Sequence, residues 1–447
     1  MLELELEKYI KPEMGAIWTR QTRYSIWLEI ELLIMRAQEM LGQFPQGVAA
    51  DAKRTAKFTI SEIDEEDKKN DQEMVSFLNV VKKTISEQAA ALIHGGITSF
   101  DIWDTARAVQ MQRSNALIEK ELAHLVNNLR SMAATYVYAM MMGRTHGIHA
   151  EPMTFGLKIL NWADELQRQY SNLRKRKAGF FVGKISGATG NYGNVDPQVE
   201  VIVCRMLGIG SARISNQIVA RDRHYAWLTA LAGIGNTLEK IALQIRLLQQ
   251  TEISEVCEPF TAEGGSSAMP FKRNPNKSER VCSLARLPRV FTIVAGENQS
   301  LQWHERSLDE SANERVIIPL TAAFIHYNLC LMSEIMVGLR VDTEKMLENL
   351  KITKGAIFSE DVMIALTKKG MDRRQARKIA KEDALEAWEK KEDFIKILEA
   401  DPRVTNLLSS EEIVRCFDYD HYLKNIPVIF ARFGIKAPVA KEEKVKI

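Results

Sequence analysis

Four stretches of this chain carry side chains whose types and spacing could do chemistry. The first is Gly264-Gly265-Ser266-Ser267-Ala268-Met269-Pro270-Phe271-Lys272-Arg273-Asn274-Pro275. As sequence, its glycines and serines suit a loop able to close over a ligand, and Lys272 and Asn274 follow as a cation and an amide donor. Taken alone it reads as a linker. The second, Thr98-Ser99-Phe100-Asp101, has the form of a helix N-cap. Such an end also offers backbone N–H groups to a carboxylate. The third, Gly143-Arg144-Thr145-His146-Gly147-Ile148-His149, contains a histidine that is either structural or an acid–base group. The fourth runs from Gln302 to Arg315, where Arg306, Ser311 and Arg315 supply charge-assisted donors suited to a phosphate. Its bland reading is a helix surface laced with Glu/Arg pairs.

Long helices must position these stretches. Only 12 prolines interrupt 447 residues, and the intervening segments are rich in good helix formers. From Arg107 to Met141 apolar residues recur at three and four positions (Val109, Leu117, Ile118, Leu122, Leu125, Leu129), which predicts a helix of many turns. Segments 222–256 and 315–340 have the same character, with apolar residues over more of the circumference, as inside a bundle. Glycine and proline gather around Gly95-Gly96, Gly143 to Pro152, Gly183 to Pro197 and Gly264 to Pro275, so those are the expected loops. After Ile357 the pattern changes to short charged helices such as Met371 to Lys391. The expectation is an all-α chain of three domains, 1–106, a long-helix bundle at 107–357 carrying the catalytic loops, and a small helical domain at 358–447.

Composition narrows the function classes. Hydrophobic residues make up 46% and charged residues 26%, with a net charge of +2, which gives no reason to expect a nucleic-acid or membrane partner. The five cysteines are scattered, without CxxC or metal-ligand spacing, and read as reduced structural thiols. The acidic start Met1-Leu2-Glu3-Leu4-Glu5 lacks the layout of a signal peptide, so a cytoplasmic location is expected.

The loop pattern Gly-Ser-Ser-x-Met-Pro-x-Lys-x-Asn-Pro resembles the signature of the fumarase/aspartase superfamily. The segments at 94–101 and 143–150 resemble its two other signature regions, in the same order. Within the superfamily, the Gln302–Arg315 phrase, Arg144-Thr145-His146, Gln217 followed by Arg221-Asp222-Arg223-His224, and the opening Tyr9 to Met14 are most similar to members that act on succinylated purine nucleotides. The resemblance implies a three-domain helical fold and β-elimination of fumarate from a phosphorylated succinyl-purine. It implies a homotetramer whose sites are shared between subunits, and neither a metal nor an organic cofactor.

Such an elimination removes a weakly acidic proton beside a carboxylate, building charge that a closed, water-free site must stabilise. By the resemblance Ser266 is the base, chosen over Ser267 as the first serine of the pair. His146 is the general acid at the departing nitrogen, Glu279 orients it, and Lys272 with Asn274 holds the carboxylate. Lys8, Tyr9, Thr98, Ser99, Thr145, Gln217, Arg280, Arg306, Ser311 and Arg315 would bind substrate. Four positions depart from the pattern: Lys8 stands for an arginine, Gln72 for a histidine, Gly95 for a larger residue and Phe271 for His or Tyr. The loss at Gln72 leaves open a sister activity, such as a carboxymuconate cycloisomerase or another amino-succinate lyase.

Overall fold

Wherever Gly and Pro are absent for several turns the chain is helical. The computed structural model describes residues 5–70, 72–260 and 269–437. The elements used below are, in chain order, α1 (Arg20–Met40), α2 (Glu73–Lys82), α3 (Ser99–Thr135), β1 (Met140–Thr145), β2 (Ile148–Thr154), α4 (Phe155–Phe180), β3 (Val182–Gly183), β4 (Gly210–Ser211), α5 (Asp222–Leu248), β5 (Val256–Cys257), α6 (Asn276–Ser300), α7 (Asp309–Gly338), β6 (Arg340–Val341), α8 (Thr343–Leu350), α9 (Ser359–Lys368) and α10 (Arg373–Lys390). Short helices fill most of the remainder. Among the described residues the strands form only two-stranded pairs, β1 with β2, β3 with β4 and β5 with β6, so the expected all-α class holds.

The expected helix at 107–141 is displaced. It begins at Ser99 and ends at Thr135, so that 37 residues span about 55 Å at 1.5 Å each. Met140 and Met141 enter β1 instead. Two hydrogen bonds from the returning chain, Phe155 N–H to Ala139 O at 2.8 Å and Gly156 N–H to Tyr136 O at 2.9 Å, take up carbonyls just beyond the helix end. Gly156 is needed there, since a Cβ would stand 2.6 Å from both Ala133 O and Tyr136 O. The expected 222–256 helix likewise stops at Leu248, and Val256 and Cys257 pair with Val341 and Arg340.

The chain divides into two compact units. One comprises Met1–Leu125, Leu166–Ala242 and Glu279–Glu334. Its core is made by Ile102, Val109, Ile118, Leu122 and Leu125 of α3, Trp227, Leu231 and Leu238 of α5, and Phe324, Ile325 and Leu329 of α7, all buried. Helix α7 is apolar and long enough to cross a membrane, with a window of mean hydropathy 1.6, but 78% of that window is buried inside the protein. The other unit comprises Val126–Glu165, Leu243–Ser278 and Ile335–Ile447. There Met140 and Met142 of β1 pack with Leu366, Ile379, Phe358 and Phe394 in one apolar cluster. That packing gives the methionine run a reason to leave the helical path: as a strand it seats alternate side chains in this core.

Candidate active site

At the start of α3 the cap is made by Asp101 rather than by the hydroxyls of Thr98 and Ser99. The Asp101 carboxylate accepts from Thr98 N–H at 2.8 Å, Ser186 N–H at 3.0 Å and Gly187 N–H at 3.2 Å, and it pairs with the ammonium of Lys184. Both charged side chains are fully buried. Four donors on one carboxylate fix the backbone of the Thr98-Ser99 segment while leaving its two hydroxyls, half-buried, out of the network. Gly96 meets the same wall; at φ +77° its missing Cβ would lie 2.1 Å from Asn194 O. His94 Nδ1 lies 2.6 Å from Glu31 Oε1, which tethers the residue preceding the two glycines.

His146 stands at the tip of the β1–β2 hairpin. Thr145 pairs with Ile148, so His146-Gly147 is a two-residue turn, and both have positive φ, 56° and 81°. That is the type I′ geometry matching the strand twist, with His146 in the place more often held by Asn. Thr145 and His146 are exposed. The register shifts between Met142 and Arg144, where Gly143 of β1 stands opposite two residues of β2, Ala150 and Glu151, and such bulges re-aim neighbouring side chains. Here Arg144 forms a bidentate pair with Glu255, at 3.1 and 2.7 Å. Glu255 is fully buried and also accepts from Asn349 at 2.8 Å. His149 is held below its ordinary value by burial and by the adjacent Arg144.

Ser266 and its neighbour Ser267 lie outside the described residues. Beyond them a turn from Lys272 N–H to Met269 O, 3.0 Å, and one from Asn276 N–H to Asn274 O, 2.9 Å, lead into α6. The buried Glu258 carboxylate caps that helix, accepting from Lys277 N–H at 2.8 Å, Ser278 N–H at 2.9 Å and the Ser278 hydroxyl at 2.8 Å. Lys272 and Phe271 are exposed, and Asn274 is half-buried.

Glu279 and Arg280 follow in the first turn of α6, both exposed. Arg280 donates to the Tyr327 hydroxyl at 3.0 Å and lies 6.0 Å from the Tyr9 ring, whose own edge contact with Tyr327 is 5.9 Å. Lys8 lies 5.1 Å from the Tyr9 ring. Three predicted binding residues, Lys8, Tyr9 and Arg280, therefore meet. Gln217 and Arg306 meet as well: the guanidinium donates to the Gln217 amide oxygen at 2.8 Å and stacks 3.6 Å from the Phe100 ring centroid. They line a hollow of about 520 Å³ with Ala188, Trp303 and Leu308. The second terminal nitrogen of Arg306 is buried without a hydrogen-bond partner among the described residues. The Ser311 backbone N–H donates to Leu308 O at 3.0 Å. Arg315 stands in another hollow, with Arg20, Arg23, Asp67 and Glu73, and donates to Glu73 at 3.0 Å.

Beneath the Gln217–Arg306 hollow lies a charge network that sequence reasoning did not single out. Arg221, 1% exposed, makes a bidentate pair with Asp104 at 2.7 and 3.0 Å and reaches Glu314 at 3.1 Å. Glu314 also meets His224 at 2.8 Å and Arg107 at 3.5 Å. Burial alone would raise the Glu314 carboxyl, but Arg221 and His224 outweigh it and hold the group well below the usual carboxylate range. Its only trace in the sequence is the Arg221-Asp222-Arg223-His224 run.

One unit holds anion-binding donors at Arg280, Arg306 and Arg315, and the other holds a histidine at a hairpin tip, both on helical scaffolds. Residues 8–287 match a family described as lyase, and 355–433 match the adenylosuccinate lyase C-terminus. Solved structures with the same fold include a fumarate lyase from a Mesorhizobium species (TM-score 0.87, 26% identity, 96% of this chain and 99% of that one). Another is the 3-carboxy-cis,cis-muconate lactonizing enzyme of Pseudomonas putida (TM-score 0.87, 26% identity, 96% and 98%). Fold and site thus define a fumarase/aspartase-type lyase. The adenylosuccinate lyase of Bacillus subtilis is 42% identical over 432 residues, covering 96% of this chain and all of the relative. The chain belongs to the adenylosuccinate lyase family.

Proposed function

We propose that this enzyme splits adenylosuccinate into fumarate and AMP, and the related succinyl-carboxamide ribotide of purine biosynthesis in the same way. The observation that carries the reading is the Gln217–Arg306 hollow, a space of about 520 Å³ lined by a half-buried guanidinium that Gln217 holds in place, and a guanidinium fork suits a phosphate. A phosphate-free muconate would have no use for it. His146 protonates the departing nitrogen from its exposed turn, with Glu279 as its partner. Lys272 and Asn274 receive the substrate carboxylate, Thr98, Ser99 and Thr145 bind the succinyl part, and Ser266 takes the proton. Lys8, Tyr9 and Arg280 form one wall, Ser311 adds a donor on the Arg306 segment, and Arg315 acts from the neighbouring hollow it shares with Arg20 and Arg23.

The site is completed in a homotetramer. Leu287, Val290 and Ile293 lie three residues apart on one face of α6 and are 40%, 55% and 64% exposed, an apolar stripe of the kind that subunit packing covers. Five free cysteines fit a reducing, cytoplasmic setting. The test is turnover of adenylosuccinate by ultraviolet absorbance, with fumarate measured independently. Turnover lost in His146→Ala and a raised KM in Arg306→Ala support the reading. No turnover by the folded wild-type oligomer rejects it.

A further inference from the structure

The first turns of α10 carry Arg373, Arg374 and Arg377, with Lys381 one turn on. Cations at a helix N-terminus oppose the macrodipole, and cations three or four residues apart repel each other. None of the four is paired with a carboxylate among the described residues, although Lys378 on the neighbouring face does pair with Glu382. The one acid at this end, Asp372, is occupied in capping, accepting from Arg374 N–H at 3.0 Å and Gln375 N–H at 3.2 Å. The arrangement is unfavourable for the isolated protein, and an anion seated against it would relieve the repulsion.

There is room for one. These four cations line a cavity of about 1260 Å³ together with two carboxylates, Glu360 and the capping Asp372, and an apolar stretch of Ile148, Met363, Leu385 and Trp388, so positive charge is in excess there. The spacing of Arg374, Arg377, Lys381, Leu385 and Trp388 sets them along one ridge of the helix, while Ala376, Ile379, Ala380 and Ala387 face the core. The ridge therefore runs from positive charge to bare apolar surface, Leu385 being 48% and Trp388 54% exposed. Gly147, Ile148 and His149 of the hairpin form another part of the wall, immediately beside the turn that carries His146.

We propose that this cavity is a second ligand site, separate from the Gln217–Arg306 hollow, which binds a nucleoside monophosphate: phosphate on Arg374, Arg377 and Lys381, base against Trp388. Guanidinium forks suit a phosphate, and an exposed indole suits a flat ring. Occupancy would touch the hairpin next to the acid and so couple nucleotide concentration to turnover.

The probe is AMP in equilibrium dialysis against the intact oligomer, read as sites per chain and so independent of any turnover. Wild type is expected to bind two AMP per chain. The Arg377→Glu/Lys381→Glu variant, with both changes at exposed positions, should lose one class by at least tenfold and keep the other. Arg306→Ala should do the reverse. Trp388→Ala should weaken AMP at the α10 class while leaving inorganic phosphate unchanged there. If wild type binds one AMP that only the α10 changes abolish, this site stands and the phosphate role of Arg306 fails. The proposal is overturned if AMP binding is indifferent to both α10 variants, or if the charge reversals instead dissociate the oligomer, which would make the cavity a seat for a neighbouring subunit.

Discussion

Arg221→Met removes a buried cation while keeping most of its volume, and its cost can be worked from the contacts. Asp104 would retain one donor, Val219 N–H at 2.7 Å, in place of that donor and two guanidinium bonds. Glu314 would retain His224 and Arg107. Breaking one side of a buried pair costs about 3–5 kcal/mol, because the surviving charge has lost its compensation. At 1.36 kcal/mol per tenfold that is a fall of about 10² to 10⁴ in the protection of amides whose exchange requires this region to open. The assay is native-state hydrogen exchange on peptides from residues 99–125, 222–242 and 309–334. Asp104→Asn in the same chain should restore part of the loss, since a neutral amide no longer needs the cation.

The pH dependence has a definite sign. In wild type the Glu314 pKa lies below its unfolded value, so its contribution is complete above about pH 4.3 and is lost as pH falls through the depressed folded value. Without Arg221 the largest remaining effect on Glu314 is burial, which raises its carboxyl and lets it take up a proton at higher pH. The deficit of the variant should therefore shrink from pH 7 to pH 5. Protection within threefold of wild type, or a deficit equal at both pH values, would refute the reasoning.

Three further outcomes are expected. Gln217→Ala frees Arg306 from its 2.8 Å bond; a charged hydrogen bond contributes about 1.5–3 kcal/mol, so KM for adenylosuccinate should rise on the order of tenfold with little change in kcat, and an unchanged KM counts against the hollow as the phosphate seat. Glu255→Gln leaves Arg144, whose side chain is 16% exposed, without its bidentate partner; about 2–3 kcal/mol, discounted from the buried-pair figure for that exposure, should appear as a lower melting temperature. His149 should titrate below 6.5 by NMR, because burial and then Arg144 disfavour its cation; its contribution to stability is therefore lost as pH falls below about 6.5, and a midpoint above 6.5 would contradict the placement.

What the sequence made legible was local. The apolar spacing at Val109, Ile118, Leu122, Leu125 and Leu129 gave α3 because those residues are buried together on one helix. The loop motifs carried the resemblance because chemistry constrains residue types over short spans. The strand at Met140–Thr145 was hidden, since Met-Met-Met has no period that separates strand from helix; only packing against Phe358 and Leu366, more than two hundred positions away, decides it. His146-Gly147 was in principle readable as a hairpin turn, an X-Gly pair between short apolar runs. The partners of the site were not readable. Arg144 and Glu255 are 111 positions apart, and His224 and Glu314 are 90 apart, so each looks in the sequence like one more solvated charge.

Those hidden partners share a chemical logic. Asp101 behind Thr98-Ser99, Glu255 behind Arg144, Glu258 behind the start of α6 and Glu314 behind the Arg306 segment are carboxylates with exposures of 0%, 0%, 3% and 3%. Each gathers N–H groups or cations from residues distant in sequence, and each sits next to a stretch proposed to handle substrate. An elimination that builds negative charge needs cations and N–H donors aimed at the substrate, and such donors repel one another when brought close. A buried carboxylate at the rear of each stretch offsets that repulsion without entering the site, where it would repel the substrate itself. Substituting these acids should therefore weaken substrate binding through displaced donors, although none of the four is proposed to touch the substrate.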